Sequence, residues 1–144
     1  FNIEKTMGKI IHHSIFKGFI SEAYNNDWST IALKSDKNDF KIDLVDRFQE
    51  VLMNYRGNYT YKIHIFISDK SEKFEDVEGN WSVIEESHYT EINKTSRDVQ
   101  YFDDWEDTVH YTNFKIGTFD VFNFLKSRVG KWAYIKFELI ENKK

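Results

Sequence analysis

Two segments of this chain share one layout, and that layout limits the folds the chain can adopt. Each has an amphipathic stretch, then a glycine, then a run of alternating apolar residues, first in "KIDLVDRFQEVLMNYRGNYTYKIHIFI" (41–67) and again in "KIGTFDVFNFLKSRVGKWAYIKFELI" (115–140). A glycine just past a helix lets the chain leave the helix in a left-handed conformation and turn back at once. Each helix can therefore pack against the strand that follows it, which predicts a sheet covered by helices.

The first amphipathic stretch has both of its helix ends marked. Asp43 is suited to cap the first turn, and Gly57 is suited to end the helix. The alternation from Tyr59 to Ile67 predicts a half-buried strand with His64 on its other face. The apolar stripe of the helix is Leu44, Val45, Phe48, Val51, Leu52 and Tyr55.

The second stretch repeats this plan with changed details. We expect Thr118 to cap the helix and Gly130 to end it. The alternation from Trp132 to Leu139 predicts another strand with one apolar face. The expected buried stripe of this helix is Phe119, Phe122, Leu125 and Val129. Because helix, glycine and strand is also a common connection, the resemblance between the two units does not establish a duplication.

The rest of the chain predicts further strands. β-Branched and aromatic residues from Lys9 to Tyr24, followed by a turn before Trp28, favour a hairpin, and residues 81–92 and 99–116 also have strand patterns. The predicted fold is α+β in the order β-β-α-β-β-β-α-β, a single twisted, mostly antiparallel sheet with two short helices packed on one face. With no proline and no linker-like composition, we expect one domain over residues 1–144, with 1–8 as a loose N-terminal segment.

Composition excludes several classes of protein. The chain has no cysteine, so it has no disulfide framework, zinc–thiolate site or cysteine nucleophile. No apolar run approaches the roughly 20 residues that span a bilayer. The expected location is the cytoplasm; because the sequence begins at Phe1 and not at methionine, we expect a trimmed N-terminus, which leaves secretion open.

The acidic residues are concentrated in one region. Residues 69–107 contain 13 acidic and 4 basic side chains, and "YFDDWEDT" (101–108) places the acids around an aromatic residue. We predict that Trp105 anchors a protein partner with a basic surface while the carboxylates steer the encounter. The predicted partner-binding residues are Tyr101, Asp103, Asp104, Trp105, Glu106 and Asp107, with outer support from Glu85, Glu86 and Glu91 if the two segments pair.

This pattern predicts a non-catalytic protein-binding module of inhibitor or immunity type, with no cofactor. Direct binding of duplex nucleic acid is not expected, because neutralising phosphates requires lysine and arginine and this segment carries the opposite charge. The competing interpretation of the segment places Trp105 in the core and makes the acids an ordinary solvated turn. The sequence leaves the oligomeric state open.

Two further functions compete with protein binding. His88 and His110 lie in predicted strands and, with Glu86, Glu91 or an acid of the cluster from Asp103 to Asp107 as third ligand, would suit zinc or another divalent metal in a hydrolase. No nucleophile elbow, dinucleotide fingerprint or phosphate-binding loop is present, which makes an enzyme the less favoured class. Alternatively, Trp132 and Tyr134, joined by Tyr111, would stack on a carbohydrate or another flat ligand.

Overall fold

The protein consists mainly of β-strands. A computed structural model describes residues 9–25, 28–34, 41–55, 58–69, 84–95, 99–106 and 109–142. The strands are β1 (Ile10–Asn25), β2 (Trp28–Lys34), β3 (Lys41–Asp43), β4 (Asn58–Ser68), β5 (Glu86–Thr95), β6 (Val99–Glu106), β7 (Val109–Ile116), β8 (Phe119–Asp120) and β9 (Trp132–Glu141). The helices are α1 (Leu44–Asn54) and α2 (Val121–Lys126). No helix within these ranges is long and apolar enough to cross a membrane.

The strands form a large and mostly antiparallel sheet. Its strand order is β5-β4-β9-β1-β2-β7-β6, with β3 beside β2 and β8 beside β7. The one parallel pairing joins β2 to β7, where Trp28 lies opposite His110. The predicted antiparallel sheet with short helices is confirmed, and so is the hairpin between β1 and β2, which closes at Asn25 and Trp28. The short strands β3 and β8, one before each helix, were not predicted.

The alternation in β4 and β9 agrees with the sequence prediction. Ile63, Ile65 and Ile67 of β4 are fully buried on one face of the sheet. Residues 133, 135, 137 and 139 of the neighbouring β9 are fully buried on that same face. The intervening residues of β9 are partly exposed. The alternating pattern therefore defines which face of the sheet carries the core.

The first helix begins where the sequence predicts it. The backbone N–H of Asp46 donates to Asp43 Oδ1 at 3.3 Å, which is the expected cap of the first turn. Leu44, Phe48 and Val51 are buried in the main core. Helix α1 therefore covers the sheet through the stripe that its periodicity indicates.

The prediction for the start of the second helix is wrong. Asp120, and not Thr118, caps α2, with its Oδ1 accepting from the backbone N–H of Asn123 at 3.0 Å. The chain first turns at Gly117, which has a φ of 63°, and pairs as β8 with β7, so the helix starts later than predicted. This shift changes the buried face: Val121 is buried, whereas Val129 is 44% exposed.

Both helices contribute to the same core. The ring of Phe48 on α1 lies 4.6 Å from Phe114 on β7, 5.2 Å from Phe137 on β9 and 6.2 Å from Phe122 on α2, between ring centroids. These residues are at most 2% exposed. Phe48 thus joins both helices to two separate strands of the sheet.

The sheet is curved strongly enough to bring distant strands together. Strand β5 lies at one end of the strand order, whereas β8 is attached to β7 near the other end. Even so, the ring of His88 on β5 stacks on Phe119 of β8, with centroids 3.6 Å apart and an interplanar angle of 16°. The ring of His88 also lies 5.6 Å from that of Phe124 on α2, between centroids, so β5 contacts both β8 and α2.

Candidate functional site

The predicted acidic segment forms strand β6. It pairs with β7 in continuous antiparallel register, from Val99 opposite Ile116 to Glu106 opposite Val109. Among the described strands, β6 has a neighbour on one side only and is therefore an edge strand. Asp107, the last residue of the predicted cluster, lies outside the described residues.

Strand register places each described residue of the predicted cluster opposite a residue of β7. Tyr101 lies opposite Phe114, Asp103 opposite Thr112, Asp104 opposite Tyr111, Trp105 opposite His110 and Glu106 opposite Val109.

Outer support from Glu85, Glu86 and Glu91 depends on pairing between the two acidic segments. Strand β5 pairs with β4 and lies at the opposite end of the strand order from β6. Each of the three acids has a cationic neighbour: Lys131 Nζ is 2.6 Å from Glu85, Arg128 binds Glu86, and Lys62 Nζ is 3.6 Å from Glu91. The condition for outer support, pairing of the two segments, is therefore not met between β5 and β6.

His88, one of the two histidines of the metal hypothesis, is held by local contacts. His88 stacks on Phe119, and its Nε2 is 2.6 Å from Thr90 Oγ1. Burial, and secondarily the charge of Arg128, lowers the pKa of His88. His110 lies in β7 opposite Trp105. Within the described ranges, no group of three or more histidine and acidic residues is placed to hold a metal ion.

The rings proposed to stack on a flat ligand pack against other rings. Trp132 lies edge to face with Phe19, at 5.4 Å between centroids, and Tyr134 lies similarly with Phe66 at 6.0 Å. Phe66 is only 2% exposed although it belongs to the outer face of β4. Tyr111 is in β7, three strands from β9.

A pocket that the sequence analysis missed lies beside the first half of β1. Its volume is about 350 Å³. The lining residues come from β1, β3 and α1, and they are His12, Ser14, Ile15, Phe16, Ile42, Arg47, Glu50 and Val51. The only sequence signal for it was the placement of His12 and Ser14 two residues apart on one strand, together with an arginine and a glutamate on the polar side of α1. Such spacings are common, so only the packing of β1 against α1 identifies the pocket.

The histidine in this pocket is held by local contacts. His12 Nε2 is hydrogen-bonded to the hydroxyl of Ser14, and the imidazole lies 5.3 Å from the ring of Tyr55, between centroids. Burial, and secondarily the neighbouring His13, lowers the pKa of His12. His88 and Thr90 make the same contact between residues two apart on β5. We therefore interpret the His12–Ser14 pair as a local strand contact and do not assign a nucleophile to it.

Comparisons of this chain with protein-family models, with curated proteins and with solved structures found no match.

Proposed function

We propose that this protein is a non-catalytic binding module, of inhibitor or immunity type, that engages a basic surface of a protein partner through β6. The observation that carries the proposal is the position of β6, an outer strand of the described sheet, together with its acids Asp103, Asp104 and Glu106. A partner that adds a strand to the sheet needs an outer strand to pair with. A partner with a basic surface needs a local concentration of negative charge.

The backbone of an outer strand supports binding by strand addition. Along its unpaired side, such a strand presents N–H and C=O groups that an extended segment of another chain can bind. Carboxylates on the same strand oppose pairing with a second acidic copy, because like charges would then lie across from each other. A basic partner strand meets no such repulsion, and its charge also speeds the encounter.

Trp105 is the proposed anchor of the interface. Large aromatic side chains contribute most of the binding energy in many interfaces when they fill a pocket on the partner. The register places Trp105 opposite His110, one position from Glu106 at the end of β6. Tyr101 and Asp107 would flank this anchor on either side.

A peptide titration tests the proposal. The probe is a synthetic peptide that alternates lysine with valine, and binding is followed by calorimetry and by amide hydrogen exchange over residues 99–106. We expect Asp103→Asn/Asp104→Asn/Glu106→Gln to weaken binding about tenfold or more, because each charge contributes a few tenths of a kcal/mol to about 1 kcal/mol at an exposed interface. The matched control, Asp46→Asn/Asp69→Asn/Glu141→Gln, removes the same charge from exposed positions elsewhere.

The two triple variants separate a specific surface from general attraction. If both triple variants weaken peptide binding equally, net charge alone explains binding and the proposal fails. It also fails if the amides of β6 exchange as fast with the peptide bound as without it. Added salt should weaken binding to the wild type more than to the β6 variant, because salt screens exposed charges.

A further inference from the structure

The pocket beside β1 exists because the neighbours of that strand change along its length. Residues Ile10 to Phe19 pair with β9 on one side. On the other side, β2 pairs with β1 only from Phe19 to Asn25. Helix α1 and strand β3 lie next to the first half of β1, where β2 does not reach, and the pocket is formed between these elements.

The inner surface of the pocket is largely apolar. Phe16, Ile42 and Val51 line it, and Val51 is 8% exposed. A volume of about 350 Å³ lies near the lower end of the range of ligand pockets, roughly 300–1,000 Å³. The pocket therefore suits a small molecule with an apolar body.

Two opposite charges lie at the same pocket. Arg47 and Glu50 are on successive turns of α1, and Arg47 Nη1 is 3.9 Å from a carboxylate oxygen of Glu50. That distance is too long for a hydrogen bond, and the side chains are 53% and 66% exposed. Neither makes a hydrogen bond to another residue in the described part of the chain. Both charged groups thus retain hydrogen-bonding capacity for a ligand.

The combination of charges selects the class of ligand. A simple anion would be attracted by Arg47 and repelled by Glu50, whereas a simple cation would be attracted by Glu50 and repelled by Arg47. A zwitterion satisfies both residues, because the guanidinium can bind a carboxylate through two parallel hydrogen bonds while the glutamate accepts from an ammonium group. We infer that the pocket between β1 and α1 binds a small apolar α-amino acid, with its charged groups on Arg47 and Glu50 and its side chain against Phe16, Ile42 and Val51.

His12 and Ser14 complete the polar part of the pocket. They are hydrogen-bonded to each other and add a hydroxyl group and an imidazole to the β1 wall. Their role in this assignment is to position the ligand. No covalent step is involved, and the site is independent of the β6 surface proposed above.

The test compares L-leucine with two derivatives that each lack one charge. N-Acetyl-L-leucine has no ammonium group, and L-leucinamide has no carboxylate. Binding to the intact protein is followed by NMR chemical shifts up to about 10 mM ligand, since a ligand of this size gains only a few kcal/mol in total. We expect leucine to bind roughly 3- to 10-fold more tightly than either derivative, because both charged contacts are partly exposed.

Charge-neutral variants assign each contact. Arg47→Gln should weaken the binding of leucine and remove the preference of the protein for leucine over leucinamide. Glu50→Gln should remove the preference for leucine over N-acetyl-leucine. Asp46→Asn, on the same helix but outside the pocket lining, is the control and should leave both preferences unchanged. Both pocket side chains are mostly exposed, so these variants should fold, which their spectra will verify.

Three results would overturn the inference. These are the absence of saturable shifts at the pocket residues, equal binding of all three compounds, and preferences that survive both variants. Each can occur whether or not β6 binds a basic peptide, so failure here is distinct from failure of the proposed function.

Discussion

Arg128 binds the carboxylate of Glu86 through two of its nitrogens and so connects the end of α2 to the first residue of β5. Arg128 Nε donates to Glu86 Oε1 at 2.7 Å, and Nη2 donates to Oε2. The guanidinium carbon lies 3.7 Å from the centroid of the Phe124 ring. This paired contact joins the segment between α2 and β9 to β5, so its loss should be measurable as a loss of stability.

We expect Glu86→Gln to lower the free energy of unfolding by about 0.5–1 kcal/mol at neutral pH, because the pair is two-pronged but its side chains are 24% and 39% exposed. The hydrogen bond from Arg128 lowers the pKa of Glu86 below its usual 4.5. The stabilisation is therefore complete above that value and disappears as the pH falls through the lower folded-state pKa. Urea unfolding of variant and wild type, at neutral pH and near pH 3, measures this. A difference that persists undiminished at the acidic pH would contradict the ionic origin.

Phe48 should be among the most sensitive core positions. It is fully buried, and its ring packs against Phe16, Phe114, Phe122 and Phe137. Phe48→Ala should lower the free energy of unfolding by about 3–5 kcal/mol, because it removes buried apolar surface and leaves a cavity. Val129→Ala, at a side chain that is 44% exposed, should change it by less than about 0.5 kcal/mol. Denaturant unfolding of both variants makes the comparison, and similar losses would refute the central role of Phe48.

Gly18 is expected to tolerate no side chain. A Cβ atom there would lie 2.7 Å from the carbonyl oxygen of Lys34, which is backbone and cannot move aside easily. Gly130 has a φ of 98°, but a Cβ there would meet no atom within 4 Å. Gly130→Ala should therefore cost about 1 kcal/mol, from backbone conformation alone. Gly18→Ala should cost about 2–3 kcal/mol, because of overpacking between β1 and β2. Equal melting temperatures for the two variants would disprove the steric argument.

Three partly buried histidines should make the fold less stable in mild acid. Burial is the largest cause that lowers the pKa of His12, His64 and His88 below the usual 6.5, and at His64 the nearby Lys136 adds to it. Below about pH 6.5 the unfolded chain then binds more protons than the folded one. The free energy of unfolding therefore falls as the pH decreases towards the folded-state pKa values of these histidines. Histidine NMR titrations report each pKa directly. His64→Gln should reduce the loss of stability between about pH 7.5 and 5.5, and a variant that loses as much stability as the wild type would contradict this prediction.

Local patterns in the sequence determined the parts of the fold that depend on neighbouring residues. The alternation around Ile65 and Ile135 identified the buried faces of β4 and β9, and Asp43 marked the start of α1. These features follow from the periods of strand and helix and from the hydrogen bonds of a helix end, which involve residues a few positions apart. The same reasoning failed at α2, because the pairing of β8 with β7 delayed the helix to Asp120.

Only the tertiary structure decided which distant residues meet. It placed the acidic segment on an outer strand, gave Glu86 a partner in Arg128 42 positions away, and formed a pocket from β1 and α1. Strand order depends on the total apolar surface that the whole chain buries, and alternation in a single strand carries no information about its neighbour. The sequence by itself therefore determined the faces of the strands, whereas their pairing, and with it every candidate binding surface, was decided by long-range packing.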